Sequence, residues 1–166
     1  MARKSNQQQE AVQPEIGEVN EQATITDDKP VDHFTNIVLD GKAKKLSPKT
    51  TNHVFYEIVL HDEENELYIR MTGNEGGGLF SRENIRLADL MNVLCAQDTK
   101  PFKSTVVKNT FRSGSANNSG FMCAICRGLG LIIPTEKSVF LHQLAPDFEQ
   151  RRDELLSLVG GETKPE

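Results

Sequence analysis

The chain has 166 residues, 37% of them hydrophobic and 26% charged, with a formal net charge of −5. That length suits one domain with tails, and no apolar run approaches the roughly 20 residues needed to span a bilayer, so no membrane partner is expected. Three cysteines, behind an opening MARKSNQQQEAVQ with no apolar segment, predict free thiols in a reducing, cytoplasmic setting and argue against export.

Residues 1–32 are rich in Gln, Glu, Asn, Thr and Asp and hold no aromatic residue. They offer too little apolar surface to offset the entropy of ordering them, which predicts a disordered polar tail. A single α+β domain is expected over 33–159, opening with a β-meander at 33–72. Phe34 to Leu39 reads as a strand, Asp40-Gly41 as a tight hairpin turn, and Lys42 to Leu46 as a short charged return strand. Val54, Tyr56, Ile58 and Leu60 then alternate on one face, as do Leu67, Ile69 and Met71 after an acidic connection at 62–65. Glu57 and Arg70 fall on the opposite face, where they can pair across the strands.

Helical signals follow a glycine-rich link at 72–78. Ser81 stands as an N-cap before the apolar stripe Ile85, Leu87, Leu90, Met91, Val93 and Leu94, predicting a helix over 82–96. Pro101 opens a second helix over 101–112 with Phe102, Val106, Val107 and Phe111 inward. A third helix is expected over 115–127, capped by Ser115, with Phe121, Ala124, Ile125 and Leu129 inward and Gly128 and Gly130 stopping it. Leu131-Ile132-Ile133 and Val139-Phe140-Leu141 then read as a hairpin. Pro146 begins a C-terminal helix to 159, and 160–166 reads as a second disordered tail.

Three helices followed by a hairpin, over residues 82–144, resemble the winged helix-turn-helix superfamily. That resemblance implies a winged-helix-like part at 80–145 in which the third helix and the wing meet a ligand. The charge pattern agrees. The acidity lies at the two ends of the chain, whereas Thr99 to Thr135 holds Lys100, Lys103, Lys108, Arg112 and Arg127 and no acid. Local charge steers a polyanion more than net charge does. The expectation is therefore a non-catalytic nucleic-acid-binding protein, DNA before RNA, serving as a regulator or accessory factor of replication, recombination or transfer. The alternative is a winged-helix module that binds a protein through its wing or β-meander. By the resemblance, Ser115, Asn117, Asn118, Ser119 and Arg127 are the exposed positions of the third helix. Asn can read adenine, and Ser or Asn can hold phosphate at a helix N-terminus. Lys100, Lys103, Lys108 and Arg112 would touch phosphates, with Lys137 at the wing tip.

Other constellations are weaker. Cys123-Ala-Ile-Cys126, with Cys95 and His142, has the donor types of a zinc site, but the pair lies in an apolar helical stripe and reads as core thiols. Asn74 to Gly78 could form an anion nest but lacks the Gly-Lys-Ser/Thr ending of a P-loop, so a hinge is the expectation. The carboxylates at 62–66 read as solvated, His33, His53, His61 and His142 are scattered in sequence, and no nucleophile motif is present. Neither a cofactor nor catalysis is expected.

Overall fold

A computed structural model describes residues 30–160. The tails were expected over 1–32 and 160–166, and all but residues 30–32 and 160 of them lie outside the described residues. Residues 33–160 fall in one unit, and its class is α+β. The alternating apolar residues form strands β1 (Asn36–Lys44), β2 (His53–Leu60) and β3 (Leu67–Asn74). They pair antiparallel in chain order, and β4 (Ile85–Arg86) extends the sheet beyond β3. Val54, Ile58, Ile69 and Met71 are almost wholly buried on the inner face, as their spacing requires. On the outer face Glu57 and Arg70 do pair, with Arg70 Nη2 2.8 Å from Glu57 Oε1.

The expected turn at Asp40-Gly41 does not form. β1 runs straight through it, with Asp40 opposite Glu57 and Gly41 opposite Tyr56. Gly41 is there for space, because a Cβ would sit 2.8 Å from the Tyr56 hydroxyl. The meander therefore has three long strands, not two hairpins.

The helical part begins later than expected. Ile85 pairs with Ile69 in the sheet, so α1 spans only Leu87–Cys95 and buries Leu87, Leu90, Met91 and Leu94. Each such side chain contributes about 1.5–3 kcal/mol by leaving water. Ser81 caps no helix. Its hydroxyl accepts from the Glu83 N–H at 3.0 Å and donates to the Glu83 carboxylate at 2.8 Å. The expected second helix is a 3₁₀ segment, Ser104–Thr110, in agreement with β-branched residues crowding an α-helix there. Phe102 stays extended, exchanging both backbone hydrogen bonds with His142 at 2.9 and 2.8 Å.

Helix α2 spans Asn117–Gly128 and buries Met122, Cys123, Ala124, Ile125 and Cys126. Ser115 does accept from the Asn117 N–H, at 3.3 Å. Gly130, at φ +83, ends the helical turn as expected. Gly128 has a different role, because a Cβ on it would lie 2.8 Å from that of Ala43, where α2 crosses β1. The final hairpin pairs β5 (Ile132–Pro134) with β6 (His142–Leu144). The return strand was expected at Val139–Leu141, but those residues belong to the connecting turn, closed by the Thr135 N–H on the Leu141 carbonyl at 2.9 Å. Helix α3 (Phe148–Leu156) and a 3₁₀ turn follow, burying Phe148, Leu155 and Leu158.

Candidate nucleic-acid interface

The N-terminal half of α2, expected to be the exposed reading surface, is crossed by the connection from β3 to β4. The Leu79 carbonyl accepts from Ser115 Oγ and from Asn117 Nδ2, both at 2.9 Å. The Ser81 N–H donates to Asn118 Oδ1 at 2.8 Å, and Asn118 Nδ2 donates to the Ser113 carbonyl at 3.3 Å. Gly76, Gly77 and Gly78, all at positive φ, let the strap lie this close. Gly78 in particular packs where a Cβ would meet Asn117 at 3.0 Å and Phe121 at 3.5 Å. Lys45 also holds the strap, its ammonium donating to Asn74 Oδ1 at 2.8 Å and to the Glu75 and Gly77 carbonyls.

Two residues expected to be exposed are not. Asn118 is 2% exposed, and both ends of its amide are engaged, so it presents no edge to a base. Arg127 is half-buried: its Nε and Nη2 lie 3.2 and 3.0 Å from His142 Nδ1, and Nη2 also donates to the Val139 carbonyl. It braces the hairpin from within. Burial, before any other influence, lowers its pKa. Ser115 and Asn117 are partly exposed but tied to the strap.

The remaining basic residues are outward. Lys100, Lys103, Lys108, Arg112 and Lys137 are all exposed. Among the described residues none of the four lysines joins an ion pair. Lys108 lines a depression of about 290 Å³ with Thr105, Ser113, Gly114, Ser115 and Ser119 beside the start of α2. Arg112 lines a different hollow, with Glu83, Arg86, Asp89 and Tyr68. Glu83 organises the loop between them, its carboxylate accepting the N–H groups of Arg112 and Ser113, both at 2.8 Å. Burial alone would raise this carboxyl's pKa, but those N–H groups and the Ser81 hydroxyl outweigh it and hold it below the ordinary value. Nothing in the local sequence marks Glu83 for this role, since its partners are about 30 positions away.

One of the four histidines is a buried polar group. His142 is 0% exposed, with Nδ1 facing the Arg127 guanidinium and Nε2 2.8 Å from Ser104 Oγ. Guanidinium can only donate, so Nδ1 accepts and the ring proton sits on Nε2. That tautomer is wrong for nucleophilic catalysis, which needs the nitrogen facing the hydroxyl to be free to take its proton. Burial first, and the guanidinium second, push the His142 pKa down to about 4. The arrangement ties the 3₁₀ segment, α2 and β6 together.

The Cys123 and Cys126 pair lies as core residues do. Cys123 and Cys126 are fully buried and Cys95 is exposed, all three free. Burial pushes Cys123 up to about 11 and Cys126 well above its ordinary value. Among the described residues no group of three or more His, Cys, Asp or Glu is placed to hold a metal ion. The histidines and carboxylates of the meander are less scattered than their sequence positions suggest. His33 stacks on His61 at 5.0 Å and bonds Asp62 at 2.7 Å, and the Tyr68 hydroxyl donates to Glu64 at 2.6 Å. Among the described residues no helix is long and apolar enough to cross a membrane. Comparison with models of protein families, with curated proteins and with solved structures found no match.

Proposed function

We propose that this protein is a non-catalytic nucleic-acid-binding protein, favouring DNA over RNA, that works in the cytoplasm as a regulator or accessory factor of replication, recombination or transfer. One observation carries the reading. The acid-free span from Thr99 to Thr135 presents Lys100, Lys103, Lys108 and Arg112 to solvent. Basic side chains without acidic neighbours in the chain are the footprint of a phosphate-binding face. The order helix, 3₁₀ segment, helix and hairpin supports the winged-helix reading of the same region.

The strap over α2 changes how such a face would work. With Asn118 buried and Asn117 tied to Leu79, recognition rests on backbone phosphates and not on bases read by α2. Binding should therefore discriminate weakly between sequences. An electrophoretic titration at low salt with duplex DNA, single-stranded DNA and RNA tests this. Complexes should form with at least one, with affinities that differ little between sequences of the same strand type. No complex with any of the three would end the proposal.

A further inference from the structure

The turn joining β5 to β6 holds apolar side chains out into solvent. Val139 is 40% exposed and Phe140 53%. Phe140 is not the loose end of an unfinished core, because the turn beneath it is tied on both sides. The Phe140 N–H donates to Ser138 Oγ at 3.0 Å, the Leu141 N–H to the Ser138 carbonyl at 3.3 Å, and the Ser138 N–H to Thr135 Oγ1 at 3.3 Å. From inside, the Arg127 guanidinium holds the Val139 carbonyl. An aromatic side chain half exposed on a backbone so braced can meet a partner without the turn first having to be ordered.

Two lysines belong to the same end of the hairpin. Lys137 lies in the same turn and is exposed. Lys103 follows Phe102, which bridges His142 antiparallel, so the chain leaves that bridge toward Leu141 and Phe140. Glu136 is the turn's one acid. An exposed flat apolar ring on a turn that carries a lysine, with a second lysine one residue past the bridge, matches the repeat of an unpaired strand, in which each apolar base face is followed by a phosphate. In a duplex those faces are already stacked on one another.

We propose that the β5–β6 turn is a base-stacking site for single-stranded or locally unpaired nucleic acid, with Phe140 against a base and Lys103 and Lys137 on the flanking phosphates. This rests on the nucleic-acid reading above and adds the strand type that the wing selects.

The chain contains no tryptophan, so Phe140→Trp places a single fluorophore at the turn. Titration with oligothymidylate should quench it, whereas a blunt duplex of equal length should quench it far less. Ile37→Trp, at an exposed position of β1, should not respond to either. Phe140→Ala should weaken single-strand binding about 5- to 150-fold, the range for one lost base–aromatic stack, and leave duplex affinity nearly unchanged. Thermal melts that coincide with the parent's would show both variants folded. Three outcomes overturn the proposal. If Phe140→Ala binds both strand types as the parent does, the stacking site fails while nucleic-acid binding stands. An equal loss on both strand types removes the selectivity and leaves a contact to backbone alone. Binding by neither parent nor variant removes this proposal together with the reading it rests on.

Discussion

Acidification from pH 7 to pH 4 should destabilise the fold through one side chain, His142. The ring is fully buried, its Nδ1 accepts from Arg127 and its Nε2–H meets Ser104. Charging it would set an imidazolium beside a guanidinium, with no carboxylate among the described residues paired to it. In the unfolded chain it takes a proton near its ordinary 6.5, whereas in the fold it does so only near 4. Between those values the unfolded chain binds the extra proton. Stability is therefore complete above about pH 6.5, declines as pH falls, and levels off below about pH 4. That gap, at about 1.4 kcal/mol for each tenfold change, corresponds to about 3 kcal/mol, a large part of a small domain's margin. Other groups titrate too, so the assay needs a reference. His142→Asn cannot titrate, yet its Oδ1 can still accept from Arg127. Urea unfolding of both proteins at pH 7, 5.5 and 4 should show the parent losing about 3 kcal/mol more than the variant over the range. Parallel pH profiles would refute the assignment of this histidine as a buried neutral base.

Further outcomes can be checked alongside. Gly120→Ala, in a position of α2 with nothing within 4 Å, should stabilise by up to about 1 kcal/mol through helix propensity, whereas Gly128→Ala drives a Cβ to 2.8 Å from that of Ala43 and should lower the melting temperature. Glu83→Gln should cost about 1.5–3 kcal/mol by weakening the charged acceptor for the Arg112 and Ser113 N–H groups. Because that carboxyl is held below its ordinary 4.5, its contribution is present above that pH and fades on further acidification, which the variant's chemical denaturation curves should show by losing the parent's dependence there. A thiol reagent at neutral pH should modify Cys95 alone in the native protein and all three cysteines in denaturant. Two or three fast-reacting native thiols would contradict the buried placement of Cys123 and Cys126.

What was legible in the sequence followed from local periodicity. Val54 to Leu60 and Leu67 to Met71 alternate, Leu87 to Leu94 repeat at helical spacing, and each forms the element its period demands. What was not legible was decided by residues far away in the chain. Asp40-Gly41 has the chemistry of a tight turn, yet Gly41 is fixed by Tyr56, which lies across the sheet and fills the space a side chain would need. Asn118 is polar and helical, which suggests exposure, but Ser81, 37 positions earlier, brings the backbone N–H that buries it. The candidate site divides the same way. Lys100, Lys103, Lys108, Arg112 and Lys137 are exposed, as long charged side chains tend to be. Arg127 resembles them in sequence and differs because the hairpin folds His142 and the Val139 carbonyl against it.

The central claim is that exposed lysines of this region bind nucleic-acid phosphates, and the salt dependence of affinity tests it most directly. Each contacting lysine releases condensed counterions, so the logarithm of the affinity should fall linearly with the logarithm of salt concentration. Replacing Lys103, Lys108 and Lys137 together by alanine should reduce that slope by about 2 to 3, at about 0.7–0.9 per lost contact, while the thermal melt stays unchanged. Affinity that ignores salt, or a slope untouched by the triple replacement, would contradict the account.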